Sequence, residues 1–66
     1  MNVGNSLKIA LLRRGKTQTQ LARELGKHVQ WVNGIANKKM ASMASVEMIS
    51  AALDMKVSEF LALGEE

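Results

Sequence analysis

Apolar residues recur at helical spacing in five short segments of this 66-residue chain. In the first segment, Leu7, Ala10 and Leu11 show the i, i+3, i+4 spacing that is typical of an amphipathic α-helix. No segment alternates between apolar and polar residues with the period of two that a β-strand requires, and proline is absent. The pattern therefore predicts an all-α fold, a compact domain of five helices.

The first three helices are predicted over about residues 6–14, 17–25 and 28–36, the first with Asn5 as its N-cap. Thr17 and Gln20 have the spacing of a capping box, in which each side chain accepts a hydrogen bond from the other residue's backbone N–H. Gly15 and Gly26 stand where the first and second helices end, at positions that favour a left-handed backbone. Because the third helix starts so soon after Gly26, the second and third helices must meet at a sharp angle.

The fourth helix is capped by Ser42 or Ser45, two alternatives that the pattern leaves open, and the fifth ends at Gly64. The expected inner stripe of the fourth helix consists of Met43, Val46, Ile49 and Leu53. We expect residues 1–66 to form a single domain in which residues 1–4 and 65–66 are loose.

The third helix has an unusual polar face. Its apolar side consists of Val32, Ile35 and Ala36, and the opposite side carries Gln30, Asn33, Asn37 and Gly34. Asn and Gly favour helix less than the Glu and Lys that usually cover a solvated face. A side-chain amide has both a donor and an acceptor, which is what reading an adenine edge in the major groove requires. The alternative is a weakly formed helix whose polar residues have no partner.

Composition excludes several kinds of chemistry. The chain has no cysteine and one histidine, so disulfides, thiolate metal sites and cysteine nucleophiles are excluded, and we expect no metal and no cofactor. The apolar runs are too short to predict a membrane span. Because cysteine is absent, we expect an intracellular protein.

Charge is distributed unevenly along the chain. Residues 1–39 contain eight of the nine Lys and Arg residues and one acidic residue, a formal charge of +7, whereas residues 40–66 carry −4. This asymmetry favours a cationic face directed at a polyanion, although an uneven soluble surface also accounts for it.

The segment Gln18-Thr-Gln-Leu-Ala22-Arg-Glu-Leu-Gly26, followed by Val32 and Ile35, resembles the helix-turn-helix of the Cro and lambda-repressor-like family of DNA-binding regulators. The resemblance extends over about residues 6–63. It implies a lambda-repressor-like fold with the helix-turn-helix at about residues 17–37, whose second helix enters the major groove while the first lies across the backbone.

The resemblance also implies roles for individual residues. The candidates for reading bases are His28, Val29, Gln30, Asn33 and Gly34. The candidates for binding phosphates are Thr17, Gln18, Lys27, Trp31, Asn37, Lys38 and Lys39. Trp31 flanks the polar face, so it packs either against sugar and phosphate or against the edge of the core. The candidates for a dimer contact are Met40, Met43, Phe60 and Leu63.

The chain departs from the family pattern at four positions. Leu11 and Ala36 stand where many members have an Arg and Glu pair, and we predict that these two apolar residues pack near each other. Lys27 replaces a usual apolar residue and His28 a usual Ser or Thr cap, so the start of the third helix is open to a shift of one residue.

The first functional hypothesis is a sequence-specific double-stranded DNA-binding protein, a Cro-like repressor that acts as a homodimer on a palindromic operator in the cytoplasm of a bacterial or phage-infected cell. The alternative hypothesis is a small helical protein-interaction module, antitoxin-like or an adaptor. An enzyme is not expected, because the sequence has no nucleophile and base pair and no phosphate-cradling glycine loop.

Overall fold

Five α-helices make up the computed structural model, which describes residues 1–66. The helices are α1 (Val3–Arg14), α2 (Gln18–Leu25), α3 (Val29–Ala36), α4 (Met43–Ala52) and α5 (Val57–Leu63). There is no β-strand, so the predicted all-α fold with five helices is confirmed. None of the five helices has the length and hydropathy that crossing a membrane requires.

Local capping signals account for most of the helix ends. Thr17 and Gln20 form the predicted capping box, with Gln20 N to Thr17 Oγ1 at 3.1 Å and Thr17 N to Gln20 Oε1 at 2.8 Å. Gly15 and Gly26 end α1 and α2 at φ angles of 65° and 68°, which a residue with a Cβ adopts only with strain. Ser42, rather than Ser45, caps α4.

The start of α1 differs from the prediction. The helix begins at Val3 and not at about residue 6, and its N-cap is Asn2, whose Oδ1 accepts a hydrogen bond from Asn5 N at 3.0 Å. The expectation that residues 1–4 are loose is wrong for Val3 and Gly4, because both are buried. Their N–H groups donate to the carbonyl oxygens of Lys39 and Lys38, both at 2.8 Å. These long-range bonds extend the helix by one turn.

One hydrophobic core connects all five helices. Helix α1 packs against α3 and α5, α2 packs against α3 and α4, and α4 packs against α5. Leu11 and Ala36, the apolar replacements for the charged pair, are both buried in this core, so no unpaired charge is left there. The buried apolar residues are Val3, Leu7, Ala10, Leu11, Leu21, Ala22, Val32, Ile35, Ala36, Val46, Ile49, Leu53, Phe60 and Leu63.

The inner side of α4 contains a serine in place of an expected methionine. Met43 is exposed, whereas Ser50 is buried and its hydroxyl donates to Val46 O at 2.8 Å. That bond satisfies the hydroxyl within the helix itself. The prediction of Met43 as a core residue was wrong, because the buried side of α4 begins at Val46.

Candidate nucleic-acid interface

The α2–α3 pair forms a tight angled unit. Leu21 and Ala22 of α2 are buried with Val32 and Ile35 of α3, and the chain reverses between them at Gly26. The N–H of Lys27 donates to Ala22 O at 2.9 Å, which closes the turn. Buried side chains and backbone bonds thus fix the direction of α3 relative to the rest of the domain.

The outer side of α3 is polar and largely without partners. Gln30 and Asn33 are exposed, and neither side chain forms a hydrogen bond within the chain. A Cβ added to Gly34 would meet no atom within 4 Å, so space beside this glycine is open. We call Gln30, Asn33 and Gly34 the α3 face. Its side-chain donors, acceptors and bare backbone are available to an external partner.

His28 and Val29 lie at the start of α3. His28 is the N-cap by its backbone conformation alone, since its side chain forms no capping bond, and α3 begins at Val29. The exposed imidazole is free, while Val29 is half-buried and packs against the core. The helix therefore starts one residue later than predicted, and His28 precedes its first turn.

Two phosphate candidates lie at the start of α2. Thr17 is exposed, but its hydroxyl already accepts a capping bond. Gln18 is the first residue of α2, and its Oε1 is buried without a hydrogen-bond partner. A buried amide oxygen that has no partner is costly. The sequence pattern did not predict that this oxygen would be buried.

Lys27 and Trp31 come together on the flank of α3. The Lys27 Nζ lies 5.3 Å from the centre of the Trp31 ring, a cation–π arrangement. Trp31 is half-buried and packs against the edge of the core. Its ring also contacts the Lys27 ammonium group.

The remaining phosphate candidates follow α3. Asn37 ends the helix, and its side-chain Nδ2 donates to Asn33 O at 2.9 Å. Lys38 and Lys39 are exposed, and their backbone carbonyls are held by the start of α1. An open groove of about 260 Å³ adjoins this segment. We call it the amide–lysine groove, and it is lined by Asn2, Asn5, Lys8, Ala36, Asn37, Lys38 and Lys39.

Asn2, Asn5 and Lys8 were missed as candidate site residues by the sequence reasoning. Lys8 contributed only to the charge count, and Asn5 was assigned as a helix cap. The signal that could have found them is the spacing of Asn5 and Lys8, which puts two polar side chains three residues apart on one side of α1.

The basic residues of the first half of the chain fall into two groups. Arg13 bonds Glu66, Arg14 bonds the Leu53 and Asp54 carbonyls, and Lys16 bonds Glu24. The others form no ion pair with an acidic group; these are Lys8, Arg23, Lys27, Lys38 and Lys39. Three of the eight basic residues thus bond other groups of the chain, and five are left without an acidic partner.

The dimer candidates also fall into two groups. Met40 and Met43 are 73% and 54% exposed. Phe60 and Leu63 are buried, which contradicts their assignment to a dimer contact. Helix α5 packs against both α1 and α4, so these two side chains are used within the core.

Comparison with known proteins agrees with this geometry. The model of the family described as helix-turn-helix, of the Cro and C1 type, matches residues 7–60, most of the chain. No curated protein matches the chain.

Proposed function

The chain belongs to the helix-turn-helix family of DNA-binding regulators, and we propose that it is a sequence-specific double-stranded DNA-binding protein. The specific role we propose is that of a Cro-like transcriptional repressor, active as a homodimer on a palindromic operator. Residues 1–66 act as one DNA-binding domain in the cytoplasm of a bacterial or phage-infected cell. The function needs neither a cofactor nor a metal.

The observation that carries this proposal is the α3 face. Gln30 and Asn33 present side-chain amides that no other group of the chain engages, beside a glycine with open space around it. An Asn or Gln amide pairs with the N6 and N7 positions of adenine in the major groove. We assign base reading to His28, Val29, Gln30, Asn33 and Gly34, with Val29 able to contact a thymine methyl group only through its exposed part.

Backbone contacts flank the α3 face in this proposal. Phosphate contacts orient a protein on the duplex without reading sequence, and amide or cationic side chains make most of them. The residues we assign to phosphate are Thr17, Gln18, Lys27, Trp31, Asn37, Lys38 and Lys39. The side chain of Gln18 supports its place in this set, because its Oε1 is buried, whereas its Nε2 is not and forms no hydrogen bond within the chain, so its N–H donors are available to a phosphate at the start of α2.

The homodimer in this proposal is supported by the usual size of a protein–DNA interface. A single DNA-binding module covers roughly 600 to 1,000 Å² of protein surface, which is small for tight specific binding. Two copies related by a two-fold axis would bind half-sites about 10 to 10.5 bp apart. Met40 and Met43 remain our candidates for the contact, because both are exposed and adaptable apolar side chains.

The test is selection of bound sites from random duplex DNA, followed by affinity measurements on the recovered operator. Gln30→Ala and Asn33→Ala should each lower operator affinity by about five- to 150-fold, the loss of one bidentate base contact, and leave affinity for random DNA unchanged. Ser58→Ala is the control, since Ser58 is exposed on α5 and forms no side-chain hydrogen bond. Equal losses on operator and random DNA would refute base reading by these amides.

The exposed methionines favour a second candidate, a protein-interaction module. Met40, Met43 and Met48 are all exposed, and Met-rich surfaces occur at protein interfaces. Failure to enrich any DNA sequence, together with salt-insensitive binding to a protein, would support this alternative over the first.

A further inference from the structure

The amide–lysine groove combines residues from two distant parts of the chain. Asn2 is the N-cap of α1, Asn5 and Lys8 lie in the first two turns of that helix, and Asn37, Lys38 and Lys39 follow the end of α3. The groove is open to solvent on one side, and of its lining residues only Ala36 is apolar. No acidic residue lines it.

The groove is held together by backbone contacts. The N–H groups of Val3 and Gly4 donate to the Lys39 and Lys38 carbonyls, which fixes the segment after α3 against the start of α1. A Cβ on Gly4 would lie 2.5 Å from Ala36 O, so the two backbones are in the closest contact that glycine permits. The two walls therefore have a defined spacing.

The backbone N–H groups at the start of α1 all donate hydrogen bonds within the chain. Asn5 N and Ser6 N bond the side chain and carbonyl of Asn2, while the two preceding N–H groups bond the lysine carbonyls. No N–H of the first turn of α1 is left for an anion. A ligand in the groove must therefore be bound by side chains.

The side chains of the groove are suited to an anion. The ammonium groups of Lys8, Lys38 and Lys39 form no hydrogen bond and no ion pair. The side chain of Asn5 and the Nδ2 of Asn2 likewise have no partner in the chain, so amide donors accompany the three cations. Like charges on a common groove repel one another, and a bound anion relieves that repulsion.

We propose that the amide–lysine groove binds a phosphate of the DNA backbone, with Lys8 as its α1 contact. This inference rests on the proposed DNA-binding function and extends the protein's contact with DNA from α2 and α3 to α1. In this motif the N-terminal residues of the second helix contact the base edges. The C-terminal end of α3, where the amide–lysine groove begins, is then the end farther from the bases, and we place it beside the phosphate backbone that borders the major groove.

The test uses the selected operator and compares two single-charge variants. Lys8→Gln should weaken operator binding by about two- to fivefold and reduce the slope of log affinity against log salt by about 0.9, as expected for one lost phosphate contact. Lys56→Gln is the matched control, because Lys56 is an exposed lysine that forms no ion pair and lies at the start of α5. It should leave the slope unchanged. Sequence preference should be the same in both variants, since phosphates carry no base information.

A second measurement identifies the phosphate. Each operator phosphate is replaced in turn by a neutral methylphosphonate, and affinity is measured for wild type and Lys8→Gln. At one position the neutral linkage should weaken wild-type binding but have little further effect on Lys8→Gln.

The outcomes separate the two proposals. If the wild-type protein binds no duplex specifically, the proposed function fails and the groove proposal fails with it. If the wild type binds its operator but Lys8→Gln and Lys56→Gln have equal slopes, or no phosphate shows coupling, the groove proposal is overturned while the proposed function stands.

Discussion

Two regions of the molecule carry exposed polar side chains and differ in how those side chains are engaged. Where the C-terminal end of α1 meets the α4–α5 turn, Arg14 Nε donates to Leu53 O at 2.8 Å and Nη2 donates to Asp54 O at 3.2 Å. Nearby, Lys16 Nζ lies 2.8 Å from Glu24 Oε1. By contrast, the side chains of Gln30 and Asn33 on the α3 face and the ammonium groups of the three lysines in the amide–lysine groove have no hydrogen-bond or ion-pair partner within the chain.

Polar side chains that are bonded within the chain stabilise the fold, whereas those without an internal partner are available to bind another molecule. A charged side chain that bonds carbonyls in a distant turn of the chain, as Arg14 does, contributes to stability. Free amides, unpaired lysines and a helical glycine contribute little or cost stability, and such departures from local preference are typical of functional sites. A count of charges along the sequence treats Lys8 and Arg14 alike, whereas the structure gives them different tasks.

The largest effect is expected from Gly4→Ala, which pushes the groove walls apart. The new Cβ would contact backbone carbonyls that have little freedom to move, so the free energy of unfolding should fall by about 1 to 3 kcal/mol. For a domain of this size each kcal/mol corresponds to a fall in Tm of about 4 to 8 °C, measurable by circular dichroism. An unchanged Tm would contradict the close contact.

A smaller loss is expected from Arg14→Gln at the junction of α1 with the α4–α5 turn. Loss of the two bonds to carbonyls should reduce the free energy of unfolding by about 1 kcal/mol, since the guanidinium is partly exposed. Arg23→Gln is the control, because Arg23 is exposed on α2 and has no ion-pair partner. Urea denaturation should show the loss in the first variant only, and equal stability of the two would refute the bracing role of Arg14.

Gly34→Ala tests the α3 face, and unlike the two preceding variants it should increase the free energy of unfolding. A Cβ meets nothing at this position, and alanine favours helix over glycine, so stability should rise by about 0.5 to 1 kcal/mol. Operator affinity should fall, because the methyl group occupies space that the proposed DNA partner needs. A rise in stability with unchanged operator affinity would remove Gly34 from the base-reading set.

The smallest effect is expected from the pair of Arg13 and Glu66. Arg13 Nη2 lies 2.5 Å from Glu66 Oε1, but both side chains are about half exposed. Their coupling energy, measured by a double-mutant cycle with Arg13→Gln and Glu66→Gln, should be about 0.2 to 1 kcal/mol and should decrease with added salt. A coupling well above this range would show that the pair is shielded from solvent.

Several features were predictable because their causes are local. Gly15, Gly26 and the Thr17–Gln20 box act within one helical turn, and the structure has all of them where the sequence pattern put them. The apolar spacing of α2 and α3 likewise identified Val32 and Ile35 as buried residues. These signals need only backbone geometry and neighbours three or four positions apart.

Other features depend on contacts between distant residues. Asn2 and Asn5 are both suitable caps, and the bonds from the α1 backbone to Lys38 and Lys39 select Asn2. Phe60 and Leu63 belong to a helix too short to define its covered side, and packing against α1 and α4 decides that they are buried.

Periodicity and capping are encoded within a few residues, and they are enough to specify the helical class, the helix-turn-helix unit and the polar character of α3. Which cations are free depends on the packing of the whole chain, since Arg14 finds its carbonyl partners 39 and 40 positions away. The same packing decides that Lys8 shares a groove with Lys38 and Lys39. Long-range packing sets these pairings, and no local pattern specifies which distant backbone a side chain will meet.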